Sequence, residues 1–331
     1  MLLIHIAQYD LQSQLVLRAV ICWGNERNYK SLSTSLILFG ILSEIFWGET
    51  AVSLKVTPHE NNFGAAITGI RLCEPLRESL ADELKEIWYQ HQVLYFPNQL
   101  IEHHHLEAFT QAIGPFGIEP YVKTLDDHPH IIEVRRDPHE KIAPFGGSWH
   151  SDWSFQEQPP SATILHAKVV PPIGGDTHFA DGIRAYEELD EALRTEIDEM
   201  EAIHSARRPY SHEGYKLGGD RTSMTVLPSD DAYATQKHPV VRTHPDSKRK
   251  TLWINPVYTL AIDGLSDSAS KSLLAKLFDH LLQDEFILKL KWAKNMLTMW
   301  DNRSVLHCAQ GGYEGHLRIM HRTTVAGSKP F

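Results

Sequence analysis

The pattern of apolar and polar positions predicts a chain built mainly from short strands. Residues 52–56 and 162–167 alternate with a period of two, as strands do when one face meets a core. Residues 93–96 are apolar throughout and are followed by Pro97, which predicts a buried strand that ends there. Residues 131–134 and 252–254 are further short candidates.

Other segments show helical spacing instead. Apolar residues recur three and four positions apart within residues 78–90, 186–202 and 271–282, so we predict one helix in each. The run His103-His104-His105 opens a similar pattern. Adjacent residues fan around a helix axis rather than converge, so we interpret this run as the start of a helix and not as a metal site.

Two stretches lack a clear period. Residues 117–148 contain four prolines and the pair Gly146-Gly147, which predicts a long loop interrupted by the strand at 131–134. Loops of this length are usually lids or binding segments. Residues 204–250 contain few apolar residues, and we expect a mobile excursion there.

The first fifty residues differ from the rest of the chain. Their apolar runs, residues 15–23 and 36–47, are shorter than the roughly 20 residues that a transmembrane helix needs, and neither resembles a secretory signal. We expect residues 1–51 to be an extension of doubtful structure, translated from sequence upstream of the true start. The alternative is a poorly packed helical appendage. The main domain is predicted over residues 52–331.

Composition excludes several functional classes. The 331 residues include 42% hydrophobic residues, enough for one large core, and carry a formal net charge of −10. This charge argues against a nucleic-acid partner, which requires clustered Lys and Arg, and no membrane partner is expected. Cys22, Cys73 and Cys308 are widely spaced and odd in number, so we expect no disulfide framework and a reducing, cytoplasmic location. The sequence leaves a homo-oligomer open.

One short stretch suggests chemistry. In a strand, the side chains of His150 and Asp152 would point to the same face. If a later antiparallel strand places His307 alongside, three donors would occupy one face of an octahedron and leave the opposite positions open. That arrangement is the 2-His-1-carboxylate triad of non-haem Fe(II) oxygenases. A His-x-Asp sequence by itself is more often a surface strand or an Asx turn.

Arg318 strengthens the metal hypothesis. It lies eleven residues beyond His307, and residues 311–315 between them are typical of a hairpin turn. A buried guanidinium without an acidic partner is expected to meet a carboxylate, which its planar fork can bind bidentately. A dicarboxylate such as 2-oxoglutarate could chelate iron at one end and reach Arg318 with the other.

The chain resembles the taurine dioxygenase and 2,4-dichlorophenoxyacetate dioxygenase family of Fe(II)/2-oxoglutarate-dependent oxygenases. The resemblance covers about residues 52–331 and rests on five separated stretches: Trp149-His-Ser-Asp152, Gly174-Gly-Asp-Thr177, His238-Pro-Val-Val-Arg-Thr-His-Pro245, Trp300-Asp-Asn-Arg303 with His307, and Arg318-Ile-Met-His-Arg322.

This resemblance implies roles for particular residues. His150, Asp152 and His307 would be the iron ligands, and Thr177 and Arg318 would hold the distal carboxylate of 2-oxoglutarate. Three residues would contact the primary substrate, with the arginine near its anionic group: Arg322, Trp153 and Tyr121. Taurine-specific members carry an asparagine four residues before the first histidine, where this chain has Gly146, so taurine itself is not favoured.

The implied fold is mainly β with flanking helices, a double-stranded β-helix of jelly-roll type. The implied reaction uses dioxygen and 2-oxoglutarate to hydroxylate a small anionic organic substrate of the sulfonate, alkyl sulfate or aryloxyalkanoate class, and releases succinate and CO2. Two alternatives remain: a non-catalytic jelly-roll binding protein, and a zinc hydrolase, because zinc accepts the same donors.

Arg322 lies four residues beyond Arg318 and, in a strand, on the same face. Two guanidinium groups close together in a dry pocket repel each other unless each has its own anion. We therefore expect Arg322 to meet an anionic group of the primary substrate. The alternative is a protein acid such as Asp301.

Overall fold

A computed structural model describes residues 54–219 and 221–331, so the predicted extension over residues 1–51 lies outside the described part. Fifteen strands are present in that part: β1 Lys55–Pro58, β2 Ala65–Thr68, β3 Val93–Phe96, β4 Ile132–Arg136, β5 Ala162–Val169, β6 Thr177–Asp181, β7 Glu201–Ser205, β8 Thr235–Pro239, β9 Val241–Thr243, β10 Lys250–Leu252, β11 Thr259–Ile262, β12 Ile287–Leu290, β13 Leu297–Asp301, β14 Val305–Ala309 and β15 Arg318–Val325.

The helices of the described part are α1 Glu78–His91, α2 His103–Ile113, α3 Gly182–Glu187, α4 Glu191–Ile197, α5 Arg207–Tyr210, α6 His212–Gly218 and α7 Asp267–Leu281, with 3-10 turns at Asp230–Tyr233 and Asp284–Phe286. The prediction of a mainly β chain with flanking helices is confirmed. None of these helices is both long and apolar enough to cross a membrane.

A seven-stranded sheet in the order β1-β2-β3-β13-β5-β15-β4 forms the centre of the fold. Alternate residues of its strands point to opposite faces. Leu94 of β3 packs with Leu84 of α1 and Leu106 of α2, so the two helices cover one face. Val93 and Met320 belong to a second apolar cluster on the other face.

The three-stranded sheet β12-β6-β14 contributes to that second cluster through Phe179, Leu288 and Val305. The cluster also contains Leu165 and Trp300 of the seven-stranded sheet. The two sheets therefore share one apolar layer. Smaller sheets, β11-β7-β8 and β10-β9, complete the strands of the described part.

Several local predictions are confirmed. Helix α1, strand β3, strand β5 and helix α7 lie where the apolar spacing predicts them. The three consecutive histidines open helix α2, as expected.

The single helix predicted over residues 186–202 is wrong. The structure has two short helices, α3 and α4, followed by strand β7. Asp190 separates the helices because its carboxylate accepts hydrogen bonds from the backbone N–H groups of Ala192 and Leu193, an N-cap that starts a new helix. The apolar period continues across this break, so the spacing alone conceals it.

Two other expectations need correction. The stretch expected to be an excursion contains α5, α6, β8 and β9, and β8 pairs with β7. The hairpin expected between His307 and Arg318 is absent from the described strand pairs. Strand β14 pairs with β6, whereas β15 pairs with β5 and β4, so this connection passes from one sheet to the other.

Candidate metal centre

Three buried side chains converge at one point: His150, Asp152 and His307. The two histidines form an isolated antiparallel bridge in which each backbone N–H donates to the other residue's carbonyl, at 3.0 and 2.7 Å. Their ring centroids are 4.1 Å apart. One ligand atom from each of the three residues lies within 4.8 Å of the other two. The predicted antiparallel approach of His307 to His150 is confirmed.

Asp152 reaches this point differently from the prediction. It begins a turn, and Trp153 after it has a φ of 49°, so the two donors do not share a regular strand. The carboxylate is held on both oxygens. Thr163 Oγ1 donates to Oδ2 at 2.6 Å, and Arg322 Nη1 donates to Oδ1 at 3.2 Å.

The orientation of the donors suits a cation. His150 Nδ1 lies 2.7 Å from the carbonyl of Ser148, which can only accept, so Nδ1 carries a proton and Nε2 is the nitrogen that faces the site. That Nε2 lies 3.5 Å from Asp152 Oδ1, and His307 Nε2 lies 3.9 Å from Oδ2.

Electrostatics points the same way. Burial, together with the neighbouring His150, lowers the pKa of His307 well below its usual value, so this imidazole is neutral. Burial alone would raise the pKa of Asp152, but Arg322 holds that pKa well below its usual range. Two imidazoles and one carboxylate form a donor set that fits Fe(II).

Asn302 organises the residues behind the donors. Its Nδ2 donates to Thr163 Oγ1 at 2.8 Å, and the same hydroxyl donates to Asp152. The backbone carbonyl of Asn302 accepts hydrogen bonds from Ser151 Oγ at 2.6 Å and from Trp253 Nε1 at 2.9 Å. Trp253 therefore helps to hold Asn302 in place.

Sequence reasoning missed these supporting roles of Thr163 and Asn302. Asn302 lies in a stretch that carries the family resemblance, and that stretch is the signal that could have pointed to it.

Arg322 is already paired within the protein. Its Nη2 donates to Glu119 Oε2 at 2.7 Å, in addition to its bond with Asp152. Glu119 also accepts from Trp153 Nε1 at 2.8 Å and from Thr324 Oγ1 at 2.9 Å. Arg322 therefore has a protein anion in Glu119, whose side chain is buried, and a contact of Arg322 with the anionic group of the substrate stays a prediction.

The alternative expectation is that Arg322 pairs with a protein acid such as Asp301. Arg322 does pair with a protein acid, but that acid is Glu119. Asp301 is bonded to Arg303 at 2.8 and 2.6 Å and to His244 at 2.9 Å, so it is not the partner of Arg322.

Arg318 differs from Arg322. Its side chain is buried, and none of the described residues gives it a side-chain hydrogen bond or a carboxylate within 4.0 Å. Burial lowers its pKa, and Tyr313 and Asp176 partly offset that effect. The side chain lies against Gly175, where an added Cβ would come within 3.4 Å of the arginine Nε. An uncompensated buried guanidinium is costly unless an anion joins it.

Thr177, two residues after Gly175, has a hydroxyl suited to the same anion. Its Oγ1 accepts a hydrogen bond from Trp292 Nε1 at 2.9 Å, so its own proton remains available for another acceptor. Together, Arg318 and Thr177 fit a carboxylate-bearing co-substrate.

A cavity of about 260 Å³ opens beside His150 and Asp152. Its other walls include two aromatic residues, Tyr210 and Tyr258, and the loop at Gly146. Gly146 has a φ of 73°, and an added Cβ would lie 3.2 Å from His150 Cε1. A side chain at this position would be strained and crowded.

The structure places Trp153 and Tyr121 behind this wall. Tyr121 stacks on Tyr210 with 4.9 Å between the ring centroids. Trp153 also packs on Tyr210, with 5.4 Å between the ring centroids. Neither is among the residues that line the cavity. Both support Tyr210 directly, and a direct contact with substrate stays a prediction.

Residues 55–324 match the family described as taurine catabolism dioxygenase TauD, TfdA family. The chain belongs to this family. It is 31% identical to an alpha-ketoglutarate-dependent sulfate ester dioxygenase of Pseudomonas putida over 286 residues, which cover 85% of this chain and 92% of that one. It is also 31% identical over 271 residues to an alpha-ketoglutarate-dependent 2,4-dichlorophenoxyacetate dioxygenase of Cupriavidus pinatubonensis, covering 77% of this chain and 92% of the other.

Solved structures of the family superpose on the chain. A taurine dioxygenase from Burkholderia xenovorans gives a TM-score of 0.70 at 26% identity and covers 84% of this chain and 92% of its own. The protein AAD-2, in complex with Mn(II) and N-oxalylglycine, gives a TM-score of 0.70 at 28% identity, covering 84% of this chain and 99% of its own. The prediction of a 2-oxoglutarate-dependent non-haem iron dioxygenase is confirmed.

Proposed function

We propose that His150, Asp152 and His307 hold Fe(II), and that the enzyme hydroxylates a small anionic organic substrate in the cavity beside them. The observation that carries this proposal is the convergence of two imidazoles and one carboxylate at the cavity wall. Relatives in the family act on sulfate esters and on 2,4-dichlorophenoxyacetate, which supports an anionic substrate of the sulfonate, sulfate ester or aryloxyalkanoate class.

Arg318 and Thr177 hold the distal carboxylate of 2-oxoglutarate in this proposal. The support is that Arg318 is buried without an anion of its own. When bound, the metal couples decarboxylation of 2-oxoglutarate by dioxygen, to succinate and CO2, to insertion of the second oxygen atom into a substrate C–H bond.

The protein side chains orient the reactants and exclude water. The Ser148 carbonyl keeps His150 Nε2 directed toward the site. Thr163 and Arg322 fix the two Asp152 oxygens. Because each donor is held by a neighbour, little reorganisation is needed when the metal binds.

The proposed architecture is a double-stranded β-helix whose two walls are the seven-stranded sheet and the sheet β12-β6-β14. Their shared apolar layer supports this assignment. A side chain at Gly146 would be strained by the positive φ and would crowd His150, which is consistent with a substrate other than taurine.

The proposal places the enzyme in the cytoplasm, where a reducing environment preserves Fe(II) and free thiols such as Cys73 and Cys308.

Anaerobic addition of Fe(II) and 2-oxoglutarate tests the metal assignment. We expect a weak visible charge-transfer band with the native protein and none with Asp152→Ala. In that variant Arg322 keeps its bond to Glu119, so the fold should be retained. A zinc hydrolase or a binding protein would give no band. Full succinate formation by a folded Asp152→Ala protein would refute the donor assignment.

A further inference from the structure

Three histidines from separate elements meet on the helix-covered face of the seven-stranded sheet. His103 begins helix α2, His128 lies in the turn before β4, and His321 is on β15. Adjacent residues of a strand point to opposite faces, so His321 faces away from Arg322, which bonds to Asp152. The ring centroid of His103 is 4.6 Å from that of His321 and 4.5 Å from that of His128. One member of the run of three histidines therefore belongs to a cluster that the tertiary fold assembles.

Two carboxylates orient the rings of this cluster. His321 Nε2 lies 3.4 Å from Glu133 Oε2, and His128 Nδ1 lies 3.1 Å from Glu107 Oε2. A carboxylate accepts, so each of these nitrogens carries a proton. His321 Nδ1 is then the acceptor of the bond that His103 Nε2 donates at 3.0 Å. A carboxylate behind an imidazole is the usual support of a histidine that binds a metal.

The two central rings, His103 and His321, are suited to share one ion. Burial lowers the pKa of His103, and burial together with the neighbouring His103 lowers that of His321 to about 4. Protons therefore compete little for these nitrogens near neutral pH. The two nitrogens are 3.0 Å apart, and metal–nitrogen bonds of about 2.0–2.1 Å allow one ion to reach both. The proton of the bond between them would move to His103 Nδ1.

His128 offers a third nitrogen. Its Nδ1 is bonded to Glu107, so Nε2 is the nitrogen left for an ion, and its side chain is 27% exposed. A rotation of this side chain is needed to turn Nε2 toward the other two rings. The charge of Lys168, whose Nζ donates to the carbonyl of Ile101 at 3.2 Å, opposes a cation. The two carboxylates, Glu107 and Glu133, outweigh that single charge.

We propose that His103, His128 and His321 form a second cation site, which binds a divalent transition metal of the zinc class. Imidazole nitrogens favour Zn(II), Ni(II) and Cu(II), whereas Mg(II) and Ca(II) prefer oxygen. The bound ion joins helix α2, the turn before β4 and strand β15. It thereby stabilises the strand that carries Arg318 and Arg322, from the face opposite to theirs.

The test measures Zn(II) binding by calorimetry in the full chain carrying Asp152→Ala, which removes a donor of the metal centre. His103→Gln is added to this background, and His104→Gln is the matched control. His104 is the next residue of the same helix, and its side chain is exposed. The amide of glutamine at position 103 can still donate to His321, so the fold should be retained, and urea unfolding without Zn(II) verifies this.

We expect Asp152→Ala to bind about one equivalent of Zn(II), and His104→Gln to leave this binding unchanged. Loss of an outer-shell partner typically weakens metal binding by about ten- to a hundredfold, and loss of a ligand should cost at least as much in His103→Gln and in His128→Gln. Zn(II) should also raise the unfolding temperature of Asp152→Ala, because a ligand that binds the folded state stabilises it. That increase should disappear with His103→Gln.

Absence of Zn(II) binding by Asp152→Ala would overturn the site. Unchanged binding after His103→Gln or His128→Gln, or equal weakening by His104→Gln, would do the same. This inference is independent of the proposed function. A native enzyme without the 2-oxoglutarate-dependent band would refute the metal centre and leave the Zn(II) result of Asp152→Ala standing.

Discussion

Thr163 is the residue on which the position of Asp152 depends most directly. Its hydroxyl donates to Asp152 Oδ2 and accepts from Asn302 Nδ2, so one oxygen connects the metal donor to a buried amide. Groups that orient a metal ligand typically change metal affinity by about ten- to a hundredfold when removed. This chain of bonds should therefore govern metal binding more than folding.

We expect Thr163→Val, which keeps the shape of the side chain, to weaken Fe(II) binding by about tenfold or more. Anaerobic titration of the metal-free protein with Fe(II) measures this change. Thr298→Val is the matched control, because Thr298 is equally buried on the adjacent strand and its hydroxyl has no partner among the described residues. Thr163→Ser should restore affinity, and normal Fe(II) binding by Thr163→Val would exclude the positioning role.

Arg318 makes a second prediction at the residue scale. Because its buried charge has no protein partner in the described chain, Arg318→Met should raise the KM for 2-oxoglutarate by about ten- to a hundredfold. The same change should not lower the free energy of unfolding measured without 2-oxoglutarate, since an uncompensated charge is removed.

Steady-state succinate assays and urea unfolding measure the two effects of Arg318→Met. Arg135→Met, on the neighbouring strand β4, is the control. Its side chain is partly exposed and bonded to Asp137, so the KM should stay unchanged. A distal carboxylate held elsewhere would leave the KM of Arg318→Met at the native value.

At the scale of elements, Glu140 ties the loop before His150 to the segment after α6. It accepts from Arg221 Nη1, from the Ser223 backbone N–H at 3.0 Å and from the Ser223 hydroxyl. Arg221 Nη2 also donates to the carbonyl of Ala143 at 2.9 Å. Both segments border the cavity, so this connection holds one side of the cavity mouth in place.

Glu140→Gln should loosen that connection, because a neutral amide cannot balance the charge of Arg221. We expect the free energy of local opening to fall by about 1.5–3 kcal/mol, seen as faster amide hydrogen exchange in residues 138–147 and 221–224. The exposed pair Lys123–Asp126 gives the control, since Asp126→Asn should change little. Exchange that speeds up equally across the whole molecule would indicate global destabilisation instead.

The elements also show what sequence can and cannot predict. Helix α1 and strand β3 follow from spacing within a few residues, and His150 and His307 were recognised because their chemistry is distinctive. The pair between Glu119 and Arg322 joins residues 203 positions apart, and Glu119 lies in a loop without any period. No local pattern reports such a contact. The crossing from β14 to β15 was missed for a related reason, since a turn signal does not specify which sheet receives the next strand.

At the scale of the whole molecule, the net charge of −10 works against an anionic substrate. Long-range attraction cannot bring such a ligand to the cavity, so binding must depend on local positive groups. Under the proposed function, an unpaired guanidinium group such as that of Arg318 supplies this local charge for 2-oxoglutarate, and its burial makes the charge effective at short range.

Buried histidines distributed over the fold determine its response to acid. Burial lowers the pKa of His166, His238 and His321 to about 4 and that of His204 to about 3. In the unfolded chain a histidine titrates near 6.5. Between these values the unfolded state binds more protons than the folded state. The stabilisation is therefore complete above about pH 6.5 and is lost as the pH falls toward 4.

His166 permits a direct test of this relation. It lies on strand β5, between β13 and β15, and its Nε2 bonds to the carbonyl of Gln99 at 2.9 Å, a bond that the amide of His166→Gln can replace. The native protein should lose stability between about pH 7.5 and 5.5, and the variant should lose about 1 kcal/mol less, as the difference between pKa values of 6.5 and 4 requires. Urea unfolding at the two pH values measures this difference. The exposed His139→Gln should behave like the native protein, and an unchanged pH dependence in His166→Gln would mean that His166 is not held neutral by burial.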